Sequence, residues 1–119
     1  MYTLKDLDLW KDKDGKKVFK LDIPMKKWIF LTLEKGNIAG EHYHKGTVKI
    51  KNPEINIVLR GKARYKLIDV NTKEEKEVIV KAPKIIEIHP NVQHEFEALE
   101  DFYMIEPFSE EALEDRWEL

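Results

Sequence analysis

GEHYHKG, residues 40–46, is the stretch on which the interpretation of this chain rests, because it places two of the four histidines one residue apart. In a β-strand, successive side chains point to opposite faces of the sheet. His42 and His44 would then share one face, and Tyr43 would lie on the other. The two imidazoles therefore predict one wall of a metal site, completed by ligands from other segments.

Two later segments carry ionisable side chains on faces that the alternation of polar and apolar residues marks as buried. EINIVLRG, residues 54–61, begins with Glu54, and VQHEFEAL, residues 92–99, places His94 on the same face as Phe96. A buried carboxylate without a partner is costly, so Glu54 needs a cation. Imidazoles with one carboxylate suit a divalent ion such as Zn, Fe, Mn or Ni. We therefore predict a metal site formed by His42, His44, Glu54 and His94.

Short runs rich in Val, Ile, Phe and Tyr recur along the chain at a spacing of roughly ten residues, separated by turn residues. This pattern predicts an antiparallel all-β sandwich or barrel. The predicted strands occupy residues 18–23, 27–36, 38–44, 54–61, 62–70, 76–82, 84–90, 92–99 and 102–107.

The segment that starts at Ser109 is the one stretch that reads as a helix. Ser109 suits an N-cap, Glu110 and Glu111 suit the first turn, and Ala112 and Leu113 begin an apolar stripe. We expect this helix to cover one open edge of the β-structure. At 119 residues the chain fits a single domain, 1–119, with its core at about residues 18–107.

Composition excludes several classes of protein. The chain has no cysteine, which excludes disulfides and thiolate metal sites. Its net charge of -2 and pI near 6.1 give no reason to expect nucleic acid. No signal sequence or apolar run of membrane-spanning length is present, which predicts a cytoplasmic protein. The abundance of Lys and Glu is typical of thermophile proteins.

These motifs resemble those of the cupin superfamily. The first cupin motif runs from a glycine through HxH to a glutamate and a later glycine. It is matched here by Gly40 or an upstream glycine, followed by His42, His44, Glu54 and Gly61. The second motif is matched by PNVQH, residues 90–94, with His94 in the ligand position. The resemblance covers about residues 36–107. It implies a cupin-type double-stranded β-helix, a jelly-roll barrel, followed by the short C-terminal helix.

The chain departs from the cupin pattern at three places. KGTVKIKNP, residues 45–53, lengthens the join between HxH and Glu54, and we expect a hairpin at the barrel mouth that forms a substrate rim or a dimer contact. Asn91 stands where cupins often have glycine, and Ala98 replaces a frequent asparagine.

The strings GEHYHK and LRGKA look most like small cupins of sugar metabolism, which implies an isomerase or epimerase acting on a small polar substrate. Alternatives are a non-catalytic ligand- or metal-binding module and, with iron, a dioxygenase. His89 is the predicted acid–base residue, with a loop residue as its alternative role. Residues predicted to line the substrate cavity, or otherwise to pack in the core, are Trp28, Phe30, Asn56, Tyr65 and Phe96. We further predict a homodimer that pairs through Ile55, Ile57 and Leu59.

Overall fold

A computed structural model describes residues 1–13, 16–20 and 28–119, and within them the chain forms two antiparallel sheets and a separate hairpin. The predicted strand 18–23 lies partly outside the described residues. The five-stranded sheet runs in the order β1 (Tyr2–Lys5), β9 (Lys84–Ile88), β6 (Glu54–Arg60), β11 (Phe102–Pro107) and β4 (Trp28–Leu33). The four-stranded sheet runs β5 (Ile38–His42), β10 (Val92–Ala98), β7 (Lys62–Asp69) and β8 (Glu75–Lys81). The hairpin pairs β2 (Asp8–Lys13) with β3 (Lys16–Lys20).

The two sheets enclose one hydrophobic core. In β10 the alternation is complete, since every second side chain is buried and those between are half-buried. Apolar side chains of both sheets meet between them, which confirms the predicted all-β class. The buried cluster consists of Val58, Ala63, Tyr65, Leu67, Val80, Ile86, Ile88, Val92, Phe96, Ala98, Phe102 and Met104.

β1 and β2 lie before residue 18, where no strand was predicted, and two further features of the fold differ from the expectation. The strands of the described residues form two separate sheets and do not join into a closed barrel. The predicted C-terminal helix is only a 3-10 turn, Glu110–Glu114, and the side chain of Ser109 makes no capping hydrogen bond. Asp115, directly after this turn, is held against another loop, so a longer helix would carry it away from its partners. In the described part of the chain, no helix has the length and apolarity needed to span a membrane.

A bulge at Gly40 sets the position of the first histidine. Gly40 has φ +95° and Glu41 φ +68°, and the pairing of β5 with β10 shifts register at this point. A Cβ on Gly40 would lie 2.8 Å from the carbonyl oxygen of His94, so only glycine allows this approach. Beyond the bulge, His42 becomes the direct pairing partner of His94.

Candidate metal and substrate site

Four ionisable side chains meet between the two sheets. His42, His44, Glu54 and His94 each offer one potential ligand atom, and these atoms all lie within 4.8 Å of one another. The imidazole rings are 4.6 to 5.7 Å apart between centroids. His44, Glu54 and His94 are buried, whereas His42 is half-buried. The structure thus brings together the residues that strand alternation predicted.

The four side chains come from different parts of the fold. His42 and His94 face each other across the β5–β10 pair, and Glu54 begins β6 on the opposite sheet. His44 is not on a strand, because β5 ends at His42. Its position therefore does not follow from strand alternation, although the prediction placed it on the correct side.

The hydrogen bonds of two rings determine which nitrogen faces Glu54. The Nδ1 atoms of His44 and His94 lie against the carbonyl oxygens of Asp115 and Val92, the latter at 3.3 Å. Because a carbonyl oxygen only accepts, both Nδ1 atoms must donate. Each neutral ring then carries a lone pair on Nε2.

Both Nε2 atoms are directed at the same carboxylate. They lie 3.3 Å from Oε1 of Glu54 for His44 and 2.8 Å from Oε2 for His94. His44 Nε2 and Glu54 Oε2 are buried without an aligned hydrogen-bond partner, as is Nδ1 of His42. Lone pairs that face carboxylate oxygens at these distances need a proton or a cation between them. The donor set fits a divalent metal ion.

Lys51 is a member of the site that the sequence interpretation missed. Its side chain is buried, and Nζ lies 3.0 Å from Oε1 of Glu54 and 3.9 Å from Oε2 of Glu106. The segment 45–53 is therefore not the expected hairpin, since it contains a 3-10 turn, Lys49–Lys51, that directs this lysine inward. Among many surface lysines, no pattern in the sequence distinguished it.

The cluster strongly shifts the pKa values of its members. Burial alone would raise the pKa of Glu54, but His94, His44 and Lys51 hold it well below the usual range. Burial alone would lower the pKa of His94, yet the charge of Glu54 raises it. Burial and the neighbouring His94 lower the pKa of His42 to about 4. The metal-free cluster is thus an ion pair of Glu54 and His94 beside a neutral His42.

A small cavity of about 60 Å³ opens beside the cluster. Its walls include the predicted residues Asn56 and Phe96 as well as Leu31, Met104 and Glu106, which the sequence interpretation missed. A space of this size holds a few atoms, so it can enclose only the reacting end of a larger molecule.

Four residues predicted for the substrate cavity or for proton transfer lie elsewhere. Trp28 and Phe30 are 38% and 59% exposed on the outer face of the five-stranded sheet, where Phe30 pairs with Ile105. Tyr65 is fully buried behind the cavity wall. His89 is exposed, and its Nε2 lies 3.1 Å from the hydroxyl of Thr3. The alternation in β4 was recognised, but the opposite face turned out to be the inner one.

Glu106 is held at the cavity by a chain of hydrogen bonds. The Tyr65 hydroxyl donates to Oδ1 of Asn56 at 2.9 Å, and Nδ2 of Asn56 donates to Oε2 of Glu106 at 3.1 Å. Burial and the nearby charge of Glu54 raise the pKa of Glu106 to about 7. Two carboxyl groups with widely separated pKa values therefore share one cavity, an arrangement found in acid–base enzymes.

No family model and no curated protein matches this sequence. Solved structures do resemble it. A sugar 3,4-ketoisomerase from Thermoanaerobacterium thermosaccharolyticum, in complex with TDP, has a TM-score of 0.73 and 21% identity, covering 97% of this chain and 85% of that one. A dTDP-4-dehydrorhamnose 3,5-epimerase from Sulfolobus tokodaii has a TM-score of 0.70 and 19% identity, covering 97% and 74%. A TDP-fucose-3,4-ketoisomerase from Campylobacter jejuni has a TM-score of 0.72 and 15% identity, covering 97% and 87%.

These likenesses establish the fold. The solved proteins are sugar-metabolism enzymes with cupin folds, so the predicted resemblance to sugar-metabolism cupins is confirmed. At sequence identities of 15–21%, structural similarity shows a shared fold and does not show a shared reaction.

Proposed function

We propose that this chain is a metal-dependent enzyme of the isomerase or epimerase type that acts on a small, polar, sugar-like substrate. The observation that carries the metal proposal is the arrangement of two imidazole Nε2 atoms against the two oxygens of one buried carboxylate. The reaction type is supported by the cavity beside this cluster and by solved relatives named as sugar ketoisomerases and epimerases.

The proposed ligands are His42, His44, Glu54 and His94. With nitrogen and oxygen donors, the site suits Zn, Fe, Mn or Ni. A bound ion would polarise a carbonyl oxygen of the substrate and stabilise the charge that develops there. The imidazoles hold their orientation through their second nitrogens, which keeps the coordinating atoms in place.

Glu106 is the residue that we assign to proton transfer, in place of His89. It lines the cavity, and Asn56 fixes the orientation of its carboxyl group. The carboxylate takes a proton from the carbon next to a carbonyl, and the electrons of the C–H bond form the enolate. A proton then passes from the hydroxyl oxygen on that carbon to the former carbonyl oxygen, and the carboxylic acid delivers its proton to the former carbonyl carbon. The carbonyl and hydroxyl groups thereby exchange places, and the isomerisation is redox-neutral.

The substrate is proposed to extend out of the cavity, because about 60 Å³ encloses only its reacting end. The solved ketoisomerase binds TDP. In this chain, Arg60 and Arg64 are the only arginines between residues 28 and 107, and an arginine-rich phosphate clamp is not evident in the sequence. We therefore favour a small sugar derivative over a sugar nucleotide.

Metal content is the first test. Protein purified without chelator should contain a divalent metal by elemental analysis. At about a thousandfold excess over its dissociation constant, the metal should stabilise the fold by roughly 4 kcal/mol, which corresponds to a shift of about 15 °C in the melting midpoint. His89→Ala should preserve the shift, because His89 is exposed and outside the cluster. Absence of metal together with an unchanged melting curve in chelator would refute the proposal.

Turnover separates the enzyme from its alternatives. Metal-loaded protein should interconvert keto-sugars in an assay of proton exchange with deuterated water, and Glu106→Gln should abolish the exchange while retaining the metal. Saturable binding without exchange would identify a ligand-binding module instead. Substrate-dependent oxygen consumption by the iron-loaded protein would identify a dioxygenase.

A homodimer remains a prediction for the outer face of the five-stranded sheet. Ile57 on this face is already fully buried, whereas Phe30 and Leu59 are 59% and 44% exposed. We expect this apolar surface to pair with a second copy. Sedimentation should give a dimer that Phe30→Glu dissociates, and a monomer at micromolar concentration would contradict it.

A further inference from the structure

The last residues of the chain are attached to the loop that follows the first histidine. Trp117 and Tyr43 form an isolated antiparallel bridge, in which each backbone N–H donates to the other residue's carbonyl at 2.8 and 3.0 Å. The ammonium group of Lys45 lies 3.7 Å from the centre of the Trp117 ring, a cation–π contact. The C-terminal segment therefore contacts the chain immediately before and after His44.

The centre of this attachment is the carboxylate of Asp115, which is only 2% exposed. Oδ1 accepts the backbone N–H of Lys45 at 2.8 Å, and Oδ2 accepts those of Gly46 and Thr47, each at 2.9 Å. The indole N–H of Trp117 adds a fourth donor at 3.2 Å. Three consecutive backbone donors on one carboxylate fix the conformation of the loop directly after His44.

Asp115 also holds the His44 ring itself. Its backbone carbonyl accepts the Nδ1 proton of His44. One residue thus fixes both the backbone beyond His44 and the tautomer of its imidazole. With the proton kept on Nδ1, the lone pair of Nε2 remains free and faces Glu54, 3.3 Å away.

We propose that Asp115 is a positioning residue that keeps Nε2 of His44 available as a metal ligand. The inference rests on the proposed metal site and adds the C-terminal segment to it. If the Asp115 carbonyl no longer accepts the Nδ1 proton of His44, the tautomer with its proton on Nε2 is favoured, because this proton can be donated to the Glu54 carboxylate. A nitrogen that carries this proton cannot bind a metal, so the site would lose one of its four ligands.

The test compares Asp115→Asn with Asp101→Asn. The Asn amide keeps one acceptor oxygen and replaces the other with an NH2 group, which cannot accept the backbone N–H groups that this oxygen holds in the parent. The loop and the backbone carbonyl of residue 115 are therefore held less firmly. Asp101 is a matched control, since it is exposed and accepts one backbone N–H, from Lys35, at 3.0 Å. Nitrogen-15 NMR of the imidazoles, recorded without metal, distinguishes protonated from unprotonated ring nitrogens and therefore reports the tautomer of His44 directly. Competition with a chromogenic chelator reports the affinity for Zn²⁺.

Asp115→Asn should populate the Nε2-protonated tautomer of His44 and weaken Zn²⁺ binding by about 10–100-fold, while Asp101→Asn changes neither. If Asp115→Asn does not fold, Trp117→Ala, at a residue that is 43% exposed, should change both readouts in the same direction by a smaller amount. An unchanged His44 tautomer and Zn²⁺ affinity in the folded variant would overturn the proposal. The tautomer measurement needs neither metal nor substrate. If the protein binds no Zn²⁺, the proposed metal site is refuted, and the NMR comparison still tests whether Asp115 fixes the tautomer of His44.

Discussion

The buried pair of Lys51 and Glu54 offers a quantitative prediction for the metal-free protein. Lys51 and Glu54 are 6% and 3% exposed, and Nζ lies 3.0 Å from Oε1. The only other carboxylate paired with Lys51 in the described residues is Glu106, at 3.9 Å. Glu54→Gln therefore leaves an ammonium group buried with one distant partner.

Removing one partner of a buried pair costs about 3–5 kcal/mol of unfolding free energy. For a chain of 119 residues, each kcal/mol corresponds to roughly 4 °C in the melting midpoint. Glu54→Gln should therefore lower the midpoint by about 12–20 °C. Adding Lys51→Met removes the unpaired ammonium group, so the double variant should recover most of this loss and remain below the parent by the share that belongs to the Glu54–His94 pair.

Urea unfolding in the presence of chelator measures these differences, and a double-mutant cycle should give a coupling energy of at least about 2 kcal/mol. Lys49→Met is the matched control, because Lys49 is exposed on the same 3-10 turn and its loss should have little effect. Additive losses in the double variant would refute the assignment of Lys51 as the counterion of Glu54.

Three further predictions concern the same region. Tyr65→Phe leaves the buried Oδ1 of Asn56 without its donor and should lower the unfolding free energy by about 1–3 kcal/mol in urea, whereas an unchanged value would show that this bond contributes nothing. Burial raises the pKa of Glu106 from 4.5 to about 7, so the folded state retains a proton that the unfolded state releases. The raised pKa of Glu106 stabilises the folded state by about 3 kcal/mol below about pH 4.5, and this stabilisation is lost as the pH rises through 7. Glu106→Gln should flatten this part of the stability profile of the metal-free protein. His42→Ala and His94→Ala should abolish the same calorimetric metal-binding event, and loss in only one variant would contradict a shared site.

Strand alternation predicted much of the fold and part of the site. Most strand positions were correct to within about two residues, because period-two burial is a local property of each segment. The same period placed Glu54 and His94 on inward faces. It did not determine which face of β4 is inner, and Trp28 and Phe30 were assigned to the wrong one. That choice depends on pairing with β11, a contact between residues far apart in sequence.

The amino-acid sequence by itself therefore determined the all-β class and the inward orientation of Glu54 and His94, since both follow from alternation within single strands. Only the tertiary structure decided that Lys51 turns inward and that Asp115 holds His44. These contacts join segments that lack a regular period or lie far apart along the chain. Their strength comes from burial, because hydrogen bonds and charges interact strongly only where the surrounding fold excludes water.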